Sequence, residues 1–314
     1  MLKLASSALA AALAGLGLAT PPAQAQVSRT FVSAASGNDL NNCDRPTPCR
    51  TFQGAHNKTN PDGEVTVLDA GGYGSLTVTK SISIVNDGVG EASVLVSGGT
   101  VGIAVTAGAA SYVNLRGITV QGIGFGGGVG VEFNTGFALT MTNCVVRNHT
   151  SSGIIFAPTA SARLAVSNTL VADNGGSGIR VIPTGNDTAL VRVVLSRVEV
   201  YNNSINGLSF DAEFGQAALM ATVADSMVAN NLGDGVQAST SNGGAEPVVT
   251  VVHSAIVNND GIGANALNAS FLILGDSTVT RNDMGVSQVW SYGDNRLEFN
   301  FRGDGTIAAT IQKR

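Results

Sequence analysis

The chain has 314 residues, enough to bury a large core. Charged residues are 12% and aromatics 5%, with 40 glycines. The wealth of Val, Ile, Leu and Ala excludes a disordered, charge-rich chain. A net charge of −5 argues against nucleic acid or an anionic membrane surface as partner.

The N-terminus reads as a targeting segment. Lys3 gives a small positive region, residues 4–18 are apolar, and Pro21 and Pro22 break the run. Ala23, Gln24 and Ala25 then form an A-x-A cleavage site. The apolar run is short of the about 20 residues a membrane span needs. The expectation is a signal peptide over residues 1–25, cleaved after Ala25, and a secreted or periplasmic protein without a membrane span.

Residues 26–75 read as an opening strand and cap. Cys43 and Cys49 flank a short polar loop, and in an oxidising compartment that spacing predicts a disulfide. Residues 49–56 predict a short amphipathic helix over the N-terminal mouth of the fold. Cys144 lies in an apolar-patterned strand and reads as a small buried hydrophobe. The three His and three Cys show no paired spacing, so no metal site is expected.

Residues 76–289 carry a repeat, loose at first. Residues 76–86 and 113–122 each suggest one coil, with residues 93–105 filling part of a turn between them. Gly122 to Gly127 formally match G-x-G-x-x-G. A strand follows and not a helix, so the segment reads as a glycine-rich turn and not a dinucleotide site.

From residue 139 the repeat is regular. Six ten-residue segments align: 139–148, 164–173, 193–202, 221–230, 249–258 and 272–281. Each opens apolar, variable, apolar, has a polar fifth place, and has an aliphatic eighth place. The residue after each segment is His149, Asn174, Asn203, Asn231, Asn259 and Asn282 in turn. Glycine follows at Gly153, Gly178, Gly207, Gly235, Gly263 and Gly285.

Alternation within each half-segment marks strands with one buried face. Leu139 and Met141, Leu164 and Val166, and Val193 and Leu195 point inward from the first strand. Val146, Val171, Val200, Val228, Ile256 and Val279 point inward from the second. The sixth-place column, Cys144, Thr169, Val198, Ser226, Ser254 and Ser277, suits a tight corner. The Asn column suits a left-handed turn and an internal hydrogen-bonded ladder. Glycine then permits close entry into a third strand. Like residues recur once per coil, which stacks each type on itself and argues for parallel strands over hairpins. The architecture expected is an all-β right-handed parallel β-helix with three strands per coil. Residues 290–314 depart from the pattern and read as a last coil and cap.

The opening segment supports this. Residues 31–39 contain a Gly-x-Asp loop, followed by Pro48 to Phe52, the strand from Gly63 to Leu68, and Gly72, Tyr73 and Gly74. This resembles the N-terminal cap of bacterial exported right-handed β-helix repeat proteins, the pectate-lyase-like superfamily. The later Asn-x-x-x-Gly-Ile repeats resemble the same group. The resemblance covers essentially all of the mature chain. It implies the fold and no particular activity, since many such proteins have no assigned reaction; the enzymes on this scaffold are mostly polysaccharide lyases and glycoside hydrolases. The strings of a polygalacturonase-like hydrolase, Asn-Thr-Asp, Asp-Asp, Gly-His-Gly and Arg-x-Lys, do not occur; a lyase would need acidic calcium ligands on neighbouring coils and an Arg or Lys base. Gly175 to Gly178 lack the Asp of a calcium-binding nonapeptide.

Two clusters remain as candidates. The fifth-place column is Asn143, Asn168, Arg197, Asp225, His253 and Asp276. In register these stack about 5 Å apart on one corner, where an imidazole between two carboxylates can bind a ligand or move protons. The adjoining outward positions Ser196, Ala224, Val252 and Gly275 are small or apolar and suggest a flat surface, which favours a solvated turn. The second cluster is Asp211 with Glu213, read as a loop after a third strand, with the acid and base or nucleophile pair of glycoside hydrolysis as its catalytic use. Phe214 and Tyr201 are exposed aromatics for a sugar. Arg302, Gly303 and Asp304 form an adhesion-like tripeptide that reads as a β-turn.

Two readings of function follow. The preferred one is a non-catalytic exported solenoid that binds carbohydrate or another surface polymer, or serves as an extracellular scaffold. The other is a polysaccharide lyase or glycoside hydrolase with divergent residues drawn from Arg197, Asp225, His253, Asp276, Asp211 and Glu213. No cofactor is expected, and calcium enters only under a lyase reading. Polysaccharide is the partner expected, and the oligomeric state is left open.

Overall fold

Parallel pairing follows from the repeat, and a computed structural model of the chain contains it throughout. The structure describes residues 27–122, 126–240 and 244–312. The proposed signal peptide and its cleavage site lie outside those residues, as does the middle of the glycine-rich segment at 123–125. The strands wind into a right-handed parallel β-helix with three faces. The first face stacks strands such as Tyr112–Arg116, Ala138–Thr142, Ala218–Ala224, Val248–Val252 and Phe271–Gly275. The second stacks Ile118–Gly122, Val145–Arg147, Met227–Ala229, Ala255–Val257 and Thr278–Thr280. The third stacks Val129–Thr135, Ile154–Phe156, Ile179–Val181, Leu208–Asp211, Val236–Ser239 and Ile262–Ala266. Ala162–Ala172 and Leu190–Tyr201 run unbroken round the corner between the first two faces.

Register is set by residue type. Leu139, Leu164, Val193, Ala221, Val249 and Leu272 pair in one inward column. The eighth-place aliphatics pair in another, and both columns are buried. Each fully buried Val or Leu contributes roughly 2 kcal/mol of apolar burial. On the third face Phe133 stacks on Phe156 with ring centroids 4.5 Å apart.

The glycine column is a matter of close approach. A Cβ on Gly178, Gly207, Gly235 or Gly263 would lie 2.3–2.5 Å from the eighth-place aliphatic of the next coil. It would also lie 2.7–2.9 Å from that coil's Asn Nδ2. No side chain fits there.

Several expectations are corrected. The cap helix is Phe52–Lys58 and not 49–56. Thr51 is its N-cap, with Oγ1 accepting from the Gly54 amide at 2.9 Å, while Asp39 holds the amides of Arg50 and Thr51. These bonds fix the chain just ahead of the helix in an extended form. Phe52 and Ala55 are buried, and Phe52 packs on Tyr73. Residues 93–105 hold parts of two strands, Ala92–Val96 and Val101–Thr106, because Val94, Val96, Ile103 and Val105 all turn into the core. Residues 76–86 straddle two coils: Leu76–Val78 lies on the third face and Ile82–Val85 on the first face of the next coil. After Trp290 the chain does not leave the repeat. Arg296–Glu298 pairs with Thr278–Thr280, and Gly305–Thr310 pairs with Met284–Ser291, all in parallel.

The disulfide between Cys43 and Cys49 is formed, with Cα atoms 4.7 Å apart. Cys144 is free and buried. Asp69 ties the cap to the first coil. Its carboxylate accepts from Ser33 Oγ at 2.5 Å, the Ala34 amide at 2.6 Å, the Ala35 amide at 3.2 Å and Tyr73 Oη at 2.6 Å. Burial alone would raise its pKa, but these donors hold it at about 2.

Candidate functional site: the corner between the first and second faces

Both corners that flank the second face share one backbone grammar. A residue with left-handed φ projects outward, and the next residue is buried. At the second corner the left-handed residues are the tenth-place Asn148, Asp173, Asn202, Asn230, Asn258 and Arg281. The Asn column expected to be left-handed is instead the buried one that follows. Its ladder is complete from Asn174 through Asn203, Asn231, Asn259 and Asn282 to Asn300, each Nδ2 donating to the next Oδ1 at 2.8–3.1 Å. His149 stands at its upstream end, where its amide donates to Asn174 Oδ1 at 3.2 Å.

At the first corner the left-handed residues are the fifth-place candidates themselves: Asn143, Asn168, Arg197, Asp225, His253 and Asp276, with φ between 44° and 54°. Behind them the sixth-place hydroxyls form a second internal ladder. The amides of Ser226 and Ser254 donate to Ser254 Oγ and Ser277 Oγ at 3.1 and 3.2 Å. Each Ser hydroxyl donates in turn to the carbonyl two residues earlier. Sequence reasoning saw only small size in that column; the Ser and Thr identities were the available signal.

The fifth-place side chains converge. His253 Nε2 lies 3.3 Å from an Asp276 carboxylate oxygen, and His253 Nδ1 lies 3.9 Å from one of Asp225. Arg197 Nε donates to Asn168 Oδ1 at 2.7 Å. The side chains of Asp225, His253 and Asp276 are more than half exposed, so these contacts add little stability.

Their surroundings are shallow and open to solvent. The outward positions named from the sequence sit on the first face, but a groove opens on the other side of the corner. It has a volume of about 710 Å³, with Arg197, Asp225, His253 and Asp276 as wall and Glu199, Met227, Ala255 and Thr278 along the second face. Upstream a second depression of about 400 Å³ shares Arg197 and Glu199 and reaches Asn143 and Asn168. A third of about 500 Å³ shares Asn143 and continues to Gly117 and Asn86. The three are shallow depressions that follow one another along this corner and share Arg197, Glu199 and Asn143; another of about 700 Å³ lies at the second corner, lined by Asn148, His149, Asp173, Asn174 and Asn202.

Asp211 and Glu213 are not a free pair on a loop. Asp211 ends the strand Leu208–Asp211 and is buried. Its carboxylate takes Arg180 Nη2 at 2.8 Å and the Glu213 amide at 3.2 Å. The sequence places Arg180 a coil away, and only the stacking of Arg180 beside that strand brings the cation to Asp211. Phe214 is 61% exposed, with its ring 6.0 Å from the Arg180 guanidinium. The tripeptide at Arg302 lies in a turn whose Arg pairs with Asp283. Among the described residues no group of three or more His, Cys, Asp or Glu is placed to hold a metal ion. No helix among them is long and apolar enough to cross a membrane.

Pectate lyase Pel9A is similar in structure, with a TM-score of 0.61 at 15% identity over 91% of this chain and 78% of that one. That likeness is one of fold. The A-module of Azotobacter vinelandii mannuronan C-5 epimerase AlgE4 matches with a TM-score of 0.42 at 14% identity, over 80% and 89% of the two chains. A lacto-N-biosidase from Eubacterium ramulus matches with a TM-score of 0.43 at 10% identity, over 91% and 67%. No curated protein matches the chain. Residues 129–301 match the family described as the right handed beta helix region, and with over half of its length inside that match the chain belongs to this family.

Proposed function

We propose that this is an exported, non-catalytic carbohydrate-binding solenoid whose binding surface is the groove along the first corner. The observation that carries this is the succession of shallow depressions along that corner from Asn86 to Thr278. From Asn143 to Asp276 its hydrogen-bonding side chains recur once per coil, roughly 4.8 Å. An extended peptide advances only about 3.3–3.6 Å per residue and falls out of step, whereas a pyranose ring is close to one coil in length. Apolar and small residues along the second face suit the flat faces of sugar rings, and Arg197, Asp225, His253 and Asp276 suit their hydroxyls. The Cys43–Cys49 disulfide fits an oxidising compartment and supports export.

A second reading, a lyase or hydrolase with divergent residues, draws on the contact of His253 with Asp225 and Asp276. Against it, the imidazole fills the space between the two carboxylates, where a water or glycosidic oxygen has to sit. A panel of neutral and acidic polysaccharides, assayed together for binding, unsaturated products and new reducing ends, separates the two. Binding without turnover, weakened by Arg197→Ala, is the result expected. Turnover that disappears in Asp225→Ala overturns the non-catalytic reading.

A further inference from the structure

The charges along the first corner are unevenly placed. In the depression of about 710 Å³ three carboxylates, Glu199, Asp225 and Asp276, stand against one guanidinium, Arg197, and His253. With the imidazole neutral, negative charge is left over. Asp294 adds to it at the downstream end, where its carboxylate accepts the Asp276 amide at 3.0 Å. Arg296 lies beside Thr278 on the second face, but Glu298 pairs with it. Upstream the charges cancel. Arg197 and Glu199 are the charged residues of the second depression, and in the third Asp87 pairs with Arg116 at 3.0 Å.

The same depression is short of hydrogen-bond donors. Among the described residues the Asp225 and Asp276 carboxylates meet only His253, and that of Glu199 meets none. A neutral imidazole has one N–H to offer two carboxylates. Arg197 gives its Nε to Asn168 Oδ1, and the Ser226 and Ser254 hydroxyls turn to backbone carbonyls. A ligand that brings both donors and positive charge fits this surface best.

We propose that this depression takes a polysaccharide carrying free amino groups, a polymer of 2-amino-2-deoxyhexose, and turns away polyuronates. The inference rests on the carbohydrate-binding reading above and narrows it. Asp225 and Asp276 stand two coils apart, roughly 9.6 Å, with His253 on the coil between them. In an extended chain with a two-fold twist, alternate sugars present the same side and lie two rings apart. One ring is close to one coil in length, so the ammonium groups of alternate sugars reach Asp225 and Asp276 in turn. The sugar between them turns its amino group away from His253. Each exposed contact is weak alone, but two on one chain multiply. A polyuronate brings carboxylates to the same points and meets like charge.

Isothermal titration calorimetry of the full chain in low-salt buffer tests this with three probes: a β-1,4 glucosamine hexamer, the same hexamer N-acetylated, and a galacturonate hexamer. The amino hexamer is expected to bind at least about fivefold tighter than the N-acetylated one. Its affinity should fall as salt rises, and galacturonate should give no binding. Asp225→Asn/Asp276→Asn should bring the amino hexamer down to the N-acetylated one, whose own affinity stays within about twofold. Asn stands at positive φ in the same column at Asn143 and Asn168, so the double variant keeps the corner; its thermal transition verifies that. An amino hexamer indifferent to the double variant overturns the proposal, because the net charge of −5 then suffices for the attraction. Equal or tighter binding of the N-acetylated or galacturonate hexamer overturns it and leaves the carbohydrate reading standing. If none of the three binds, both fall together.

Discussion

The two corners flanking the second face follow the same grammar and yet differ. Each places a left-handed residue outside and a buried hydrogen-bonding residue inside. At the second corner the inner residue is Asn in coil after coil, and its amide both donates and accepts along the axis. At the first corner the inner residue is mostly Ser or Thr, and the outer one varies from Asn to Arg, Asp and His. Uniformity marks the column whose chemistry is consumed by the stack itself. The outer columns of both corners line depressions, one of about 700 Å³ at Asn148, Asp173 and Asn202 and one of about 710 Å³ at Arg197, Asp225, His253 and Asp276; the first corner differs in gathering an Arg, two carboxylates and a His.

The sharpest way to break the comparison is to remove one ladder residue. Asn231 accepts from the amide and Nδ2 of Asn203 and donates to Asn259 Oδ1 and, more weakly, to the Val200 carbonyl. Asn231→Ala strands several buried groups at about 1–3 kcal/mol each. A loss of about 3 kcal/mol or more is expected in denaturant unfolding. Gly235→Ala should cost about as much, because its Cβ would meet Ile256 Cγ2 at 2.4 Å and the Gly263 carbonyl oxygen at 2.6 Å. A loss below about 1 kcal/mol in both would mean the second corner is not the structural one.

Acid separates the regions next. Asp69 has its pKa lowered from 3.8 to about 2 in the fold, so its contribution is complete above pH 4 and disappears as pH falls toward 2. Asp69→Asn should remove that slope and, allowing for its partial exposure, about 1 kcal/mol of stability at neutral pH. His149 is buried, and desolvation lowers its pKa below 6.5 despite its bond to the Val120 carbonyl. The unfolded state then binds the proton first, so stability should decline as pH falls below 6.5. His149→Asn, which extends the ladder by one member, should flatten that decline; a melting curve as steep as before would show that another group controls it.

The smallest effect on stability is expected at the first corner. His253→Asn keeps a residue that tolerates left-handed φ, and the exposed polar contacts it loses are weak. Its unfolding free energy should stay within about 0.5 kcal/mol, while polysaccharide binding weakens. A destabilised protein with intact binding would reverse the roles given to the two corners.

Much of this was legible in the residues. Stacking in parallel register repeats each residue type once per coil, so the Leu, Val, Asn and Gly columns announce the solenoid and its inward faces before any coordinates. Cys43 and Cys49 sit close enough in sequence to announce their bond. The phase of residues 76–105 was not legible, because their coils lack the Asn marker and short apolar runs look alike. Nor was the partner of Asp211, since Arg180 lies a full coil earlier and spacing in the chain carries no record of which side chain turns toward which.

The repeat thus determined on its own that the first corner is a column of polar residues about one strand spacing apart. Tertiary structure decided where the left-handed residue falls: at the fifth place itself on the first corner, and at the tenth place, one before the buried Asn column, on the second. A single left-handed residue reverses which side of the backbone the next side chain takes, and composition does not reveal where along a turn that reversal falls. The depressions along the corners have the same origin. They are properties of neighbouring coils in contact, and a sequence states the order of the coils but not the surfaces they leave uncovered.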